Sequence, residues 1–206
     1  LFMALFRSLI RIFSGQASLQ GLECSLVAEP AETVRPESGG DETAFFAEAL
    51  RAVHLTNDYI VTNHDDLGMF VTLFFGVLDP ESGSLAYINS GHDPLYLIDP
   101  EGSIRRNLTP TGPAVGIQPH PRMQIQNVHI RPGEILFGYT DGVTEARSGD
   151  GTFFSERRLM MELRRGAASA GELLERVAAA VQSHVADAEP FDDITMLAVC
   201  RKPSTR

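Results

Sequence analysis

MFVTLFFGVLDPESGSLAYIN, residues 69–89, decides the fold class. Its first ten residues are rich in aromatic and β-branched side chains. Asp79-Pro80-Glu81-Ser82-Gly83 is a run of turn formers, and Leu85 to Asn89 is β-prone again. Two such runs around a short turn predict an antiparallel hairpin. The pattern recurs downstream, where Leu95 to Ile98 and Ile104 to Leu108 flank Asp99-Pro100-Glu101-Gly102. From Met123 to Ile130 the apolar residues fall at 123, 125, 128 and 130, and this slip of one residue predicts a β-bulge. Arg131-Pro132-Gly133 then turns the chain into a strand over Glu134 to Thr140, and Ile194 to Cys200 reads as the last strand.

Helical spacing surrounds these strands. Leu1, Leu5, Leu9 and Ile12 give residues 1–14 an apolar face, and residues 15–41, with several Gly, Pro, Ser and Glu, read as a loop or poorly ordered stretch. A second helix starts at Asp41, with Asp41 or Thr43 as its cap. Phe45, Phe46, Ala49, Leu50 and Val53 form its buried side, and it fades near Asn63-His64-Asp65-Asp66. A third runs from near Ser155 to near Gly166. A fourth opens on the capping box Ser169-x-x-Glu172 and carries Leu173, Leu174, Val177, Val181 and Val185 at helical spacing. Hairpins with helices before and after them predict an α+β layered fold.

A length of 206 residues suits one domain with a sizeable core. The net charge of −10 disfavours nucleic acid and anionic membranes as partners. No apolar run reaches the roughly 18 residues of a membrane helix. Cys24 and Cys200 form no CxxC pair, which fits a reducing compartment and a cytoplasmic location.

Three segments carry chemistry. In Gly138-Tyr139-Thr140-Asp141-Gly142-Val143-Thr144-Glu145 a strand delivers a carboxylate at its end, where Gly142 lets the backbone turn. Such a carboxylate is a good ligand for Mg²⁺ or Mn²⁺, which prefer oxygen donors. Asp192-Asp193 precedes the final strand, and because adjacent side chains on extended backbone diverge, one of the two at most faces a given site. His92, in Asn89-Ser90-Gly91-His92-Asp93-Pro94, is a candidate acid or ligand, although such a His more often fastens a turn. Taken singly, each acidic segment reads more readily as an ordinary turn than as a metal site. Walker-type, GxSxG and HExxH signatures are absent from the sequence.

In order, Met69 to Asp79, Asn89-Ser90-Gly91-His92, Gly112-Pro113-Ala114-Val115-Gly116, Leu136 to Ala146 and Asp192-Asp193-Ile194-Thr195 resemble the bacterial PPM (PP2C-like) serine/threonine phosphatases of the sporulation-phosphatase and sigma-factor-regulator type. The resemblance implies a single domain over 1–206 folded as an αββα sandwich of two antiparallel sheets. It implies Asp141, Asp192 and Asp193 as metal ligands, with Gly142 and His92 in support, and two Mn²⁺ or Mg²⁺ ions. The implied reaction is direct attack of a metal-activated water on phospho-Ser or phospho-Thr of a regulatory protein, typically an anti-sigma-factor antagonist. Members of this type carry an Asp-x-Ser-Gly-His-Gly-like metal motif just before a Leu-Phe-Met-Ala helix. This chain opens at Leu1-Phe2-Met3-Ala4, so the expectation places that motif and the first strands upstream of it. A non-catalytic PPM-fold binding module is the alternative that the missing motif raises. Sheet edges left open by missing strands carry an expectation of homodimerisation.

Overall fold

The computed structural model describes residues 40–64, 68–186, 188 and 192–202. The first helix expected from the sequence, almost all of the 15–41 loop, and Asp65-Asp66 lie outside the described residues. In chain order the elements are α1 (Gly40–His64), β1 (Leu73–Leu78), β2 (Ser84–Ser90), β3 (Leu95–Ile98), β4 (Ile104–Leu108), β5 (Gln126–His129), β6 (Ile135–Tyr139), a 3-10 turn (Asp141–Val143), α2 (Ser155–Leu163), α3 (Ala170–Val185) and β7 (Met196–Cys200).

The strands form two antiparallel sheets, ordered β1-β2-β5 and β4-β3-β6-β7. Alternation along each strand builds the layers. Leu85 and Tyr87 of β2 meet Leu95, Leu97 and Leu136 between the sheets. Ala86 and Ile88, one residue out of phase, pack instead with Val53 and Ile60 of α1. On the far side Tyr96, Ile98, Ile135, Phe137 and Tyr139 lie against Leu159 and Leu163 of α2 and Leu173, Val177 and Val181 of α3. Helix, sheet, sheet and helix pair therefore stack as the expected αββα sandwich. β3 and β6 are buried along their whole length, so they read as unbroken apolar runs.

Two expectations change. The predicted bulge between Met123 and Ile130 does not form. Strand β5 starts only at Gln126 and pairs with β2 in unbroken register, from Tyr87 with Gln126 to Ser84 with His129. Met123 belongs to the preceding non-strand segment and packs on the α1 side, so the phase slip marks where the strand begins. The run predicted from Met69 becomes a strand only at Leu73, with Val71 making a single bridge to Val115. Among the described residues, an irregular register lies between Leu97 and Ile98 in the β3–β4 pairing.

Two local features yield tests. Ser169 caps α3 by accepting the Glu172 N–H at 3.1 Å, while the Glu172 carboxylate accepts from Ala168 N–H at 2.8 Å, one residue before the cap. Ser169→Ala should lower stability by about 1 kcal/mol, read from urea denaturation. Glu134 is a buried carboxylate held by the Arg105 guanidinium and by Arg131 N–H at 2.7 Å. Burial pushes its pKa up, but these donors outweigh burial and hold it below the usual carboxylate value. A depressed carboxylate stabilises the fold fully above its unfolded pKa, here about 4.5, and that stabilisation is lost as pH falls through the lowered folded value. Glu134→Gln should therefore remove part of the acid-side loss of stability in urea midpoints measured against pH; an unchanged acid limb would refute the linkage.

Candidate functional site

β6 and β7 are antiparallel neighbours, with Tyr139 opposite Met196 as the last ladder pair. Continuing that register past the pair sets Thr140 against Thr195, and both acidic segments leave the sheet side by side. Thr140 N–H donates to Thr195 C=O at 3.0 Å. The Thr140 hydroxyl accepts the Thr195 N–H at 3.0 Å and donates to Asp193 C=O at 3.3 Å. One side chain thus fastens the two loops together. Gly142 completes the contact, because a Cβ there would land on the Asp193 carbonyl oxygen. The glycine is needed for close backbone approach.

Asp141 opens the 3-10 turn. Its backbone C=O accepts from Glu145 N–H at 2.8 Å and from the Thr144 hydroxyl at 3.1 Å. Its carboxylate is exposed and accepts Gly142 N–H at 2.9 Å. Asp192 and Asp193 are exposed as well, and the Asp192 carboxylate accepts Asp193 N–H at 2.7 Å. The fold therefore brings together the two loops that carry Asp141, Asp192 and Asp193. Among the described residues, however, no three His, Cys, Asp or Glu side chains gather closely enough to hold a metal ion by themselves.

His92 lines a cleft of about 260 Å³ at the same end of the sandwich, with Leu73, Phe74, Tyr139, Thr140 and Thr195. Its position comes from Asn89, a fully buried side chain that accepts His92 N–H at 2.9 Å and donates to Leu108 C=O at 3.0 Å. His92 Nδ1 lies 2.9 Å from Asp93 C=O. A carbonyl only accepts, so Nδ1 carries a proton in this contact and Nε2 is the ring nitrogen not used by it. The sequence reading of His92 as a turn-fastening residue agrees with this bond.

Three further groups escaped the sequence reading. Asp93 is half-buried; burial raises its pKa, His92 lowers it, and the Asp141 and Glu156 charges raise it again. Tyr96 donates its phenol O–H to Glu156 at 2.8 Å. Burial pushes the Tyr139 phenol up to about 12, so it stays protonated at neutral pH. Asp93 adjoins His92 and was within reach of sequence reasoning. Tyr96 and Glu156 lie sixty positions apart and had no signal. The region around Asp141 is thus rich in oxygen donors, carboxylates among them, the donor type a hard divalent cation favours.

The sequence profile of the family described as Stage II sporulation protein E (SpoIIE) matches residues 3–202. Protein IcfG of Synechocystis sp. is 44% identical over 201 residues, which is 98% of this chain and 31% of IcfG. Phosphoserine phosphatase RsbU of Bacillus subtilis is 25% identical over 145 residues, 69% of this chain and 42% of RsbU. The chain therefore spans less than half the length of either relative. The SiaA-PP2C domain of Pseudomonas aeruginosa superposes with a TM-score of 0.63 at 20% identity, covering 95% of this chain and 68% of that one. That likeness shows a PP2C-type fold. No described helix is long and apolar enough to cross a membrane.

Proposed function

Since the chain belongs to the SpoIIE family and has its PP2C-like fold, we propose that it is a metal-dependent protein serine/threonine phosphatase acting on a phosphorylated regulatory protein. The observation that carries this reading is the fastening of the Asp141 loop to the Asp192-Asp193 loop by Thr140, within a chain similar to a phosphoserine phosphatase. By this reading Asp141, Asp192 and Asp193 hold Mn²⁺ or Mg²⁺. The donors fit such ions in kind, since all are hard oxygens; water and the substrate phosphate, or residues outside those described, complete about six ligands per ion. The chemistry a bound divalent pair supplies is activation of water and neutralisation of the phosphoryl oxygens.

The chain's own residues do the positioning. Thr140 and the close approach at Gly142 set the spacing between the acidic loops. Asn89 fixes the His92 backbone, and the Nδ1–H bond to Asp93 C=O leaves Nε2 free to accept a proton or a hydrogen bond from substrate. The anti-sigma-factor antagonists are the substrate class that the family resemblance suggests. The test is phosphate release from a phosphoserine regulatory protein, with and without Mn²⁺, by the protein as the cell makes it. Mn²⁺-dependent release abolished by chelator is the expected result. No release at any Mn²⁺ concentration would overturn the proposal.

A further inference from the structure

We propose that the outer face of α2 is a docking surface for an acidic segment of the phosphoprotein substrate, an inference that rests on the phosphatase reading above. Four of the chain's 17 Lys and Arg residues fall at 157, 158, 164 and 165, although the chain as a whole carries −10. The spacing places Arg157, Arg158, Met161, Arg164 and Arg165 along one helical face and its C-cap, and all five are exposed. Leu159 and Leu163, on the opposite side, are fully buried, so this face is the one the helix presents outward.

The local carboxylates, Glu156 and Glu162, offset only part of the charge of the four arginines. Glu162 is only 20% exposed and pairs with Arg165 at 2.8 Å and with Arg176 at 3.7 Å. Glu156, on the first turn, accepts the Tyr96 phenol. Arg158 meets no carboxylate but a ring nitrogen, His184 Nδ1, at 2.6 Å; the other ring nitrogen, Nε2, lies 2.9 Å from Thr152 C=O. Arg157 and Arg164 have no carboxylate partner among the described residues. Arg157 and Arg164 are therefore left for an external anion, with Arg158 held beside them by His184.

The surface is also shaped. A groove of about 570 Å³ runs beside α2, lined by Phe153, Arg157, Arg158 and Met161, with the ion-paired Glu162 also on its wall. Met161 is 60% and Phe153 45% exposed, and the Arg147 guanidinium lies 4.8 Å over the Phe153 ring. An exposed Met and Phe rimmed by arginines is the composition of a protein-contact patch. It is also joined to the candidate site by backbone. Ser155 N–H donates to Thr144 C=O and Phe154 N–H to Ala146 C=O, both at 2.8 Å, so the groove is pinned to the turn that carries Asp141. An acidic segment held there would keep its phosphorylated residue close to that turn. Arginine is the side chain suited to such pairing, because its planar fork binds carboxylates in bidentate fashion.

The test uses the intact protein and a fluorescein-labelled, Asp/Glu-rich peptide bearing one phosphoserine. Fluorescence anisotropy should show binding that weakens with salt. Arg157→Glu with Arg164→Glu should weaken it at least ~10-fold, and the Gln pair at the same positions should weaken it less. Hydrolysis of p-nitrophenyl phosphate should be unchanged in both. An unchanged Kd in the Glu pair overturns the proposal, as does wild-type binding to phosphatidylserine vesicles without binding to the peptide. Arginine-dependent peptide binding by a protein that hydrolyses neither compound would support the docking surface while removing the phosphatase reading.

Discussion

Asp141→Asn should cost about 10²–10³-fold in kcat for phosphate release, with the fold intact. The side chain is exposed, and Gly142 N–H is the hydrogen bond its carboxylate accepts, one an Asn carbonyl can also take. The substitution therefore removes one negative charge and little else, and the change in stability should stay within about 0.5 kcal/mol. If Asp141 holds a divalent ion, the Mn²⁺ concentration for half-maximal activity should rise together with the loss in kcat. Steady-state kinetics against Mn²⁺, with circular dichroism as the fold check, decide the matter. A variant with wild-type kcat and unchanged Mn²⁺ dependence would remove Asp141 from the site.

The second large effect is expected at Gly142. A methyl group there meets the Asp193 carbonyl directly, and backbone rather than a flexible side chain would have to yield. Gly142→Ala should destabilise by about 1–3 kcal/mol, the range for forced overpacking. It should also push the Asp192-Asp193 loop away from Asp141. The Mn²⁺ requirement should then rise more than the stability loss alone explains when activity is assayed well below the melting temperature. Thr140→Val separates the two contributions. It keeps the shape of the side chain and deletes both hydroxyl bonds, to Thr195 N–H and Asp193 C=O, without adding bulk. If Gly142→Ala melts with the wild type and keeps the wild-type Mn²⁺ requirement, close approach of the loops is not what the site depends on.

Much of the fold was legible because pattern and context agreed. β3 and β4 occupy the residues that the Asp99–Gly102 turn marked out, and Ser169 caps α3 as its spacing from Glu172 indicated. β5 misled because Met123 and Ile125 mimic strand alternation from a non-strand segment. Met123 packs against the α1-side core, while Ile125 is 44% exposed. Periodicity alone cannot separate those cases. At the site, the residue types pointed to carboxylates, but the partnership between loops 51 residues apart, Asp141 to Asp192, could not be read locally. It depends on β6 and β7 being neighbours in register, and on Thr140, whose hydroxyl reaches 53 and 55 positions along the chain.

That register has a consequence for how the two acidic loops are kept in alignment. The pairing of β7 is dictated by what it buries: Met196, Ala198 and Cys200 pack toward the helices, and Val199 packs toward the other sheet. A slip of one residue would turn each of these side chains to the opposite face. It would also offset Thr195 from Thr140 and exchange the directions of Asp192 and Asp193. The greasy interior thus acts as a proofreader for the acidic rim: a one-residue mispairing that would scramble the oxygen donors is already rejected by the apolar side chains behind them, before a cation or a phosphate is involved.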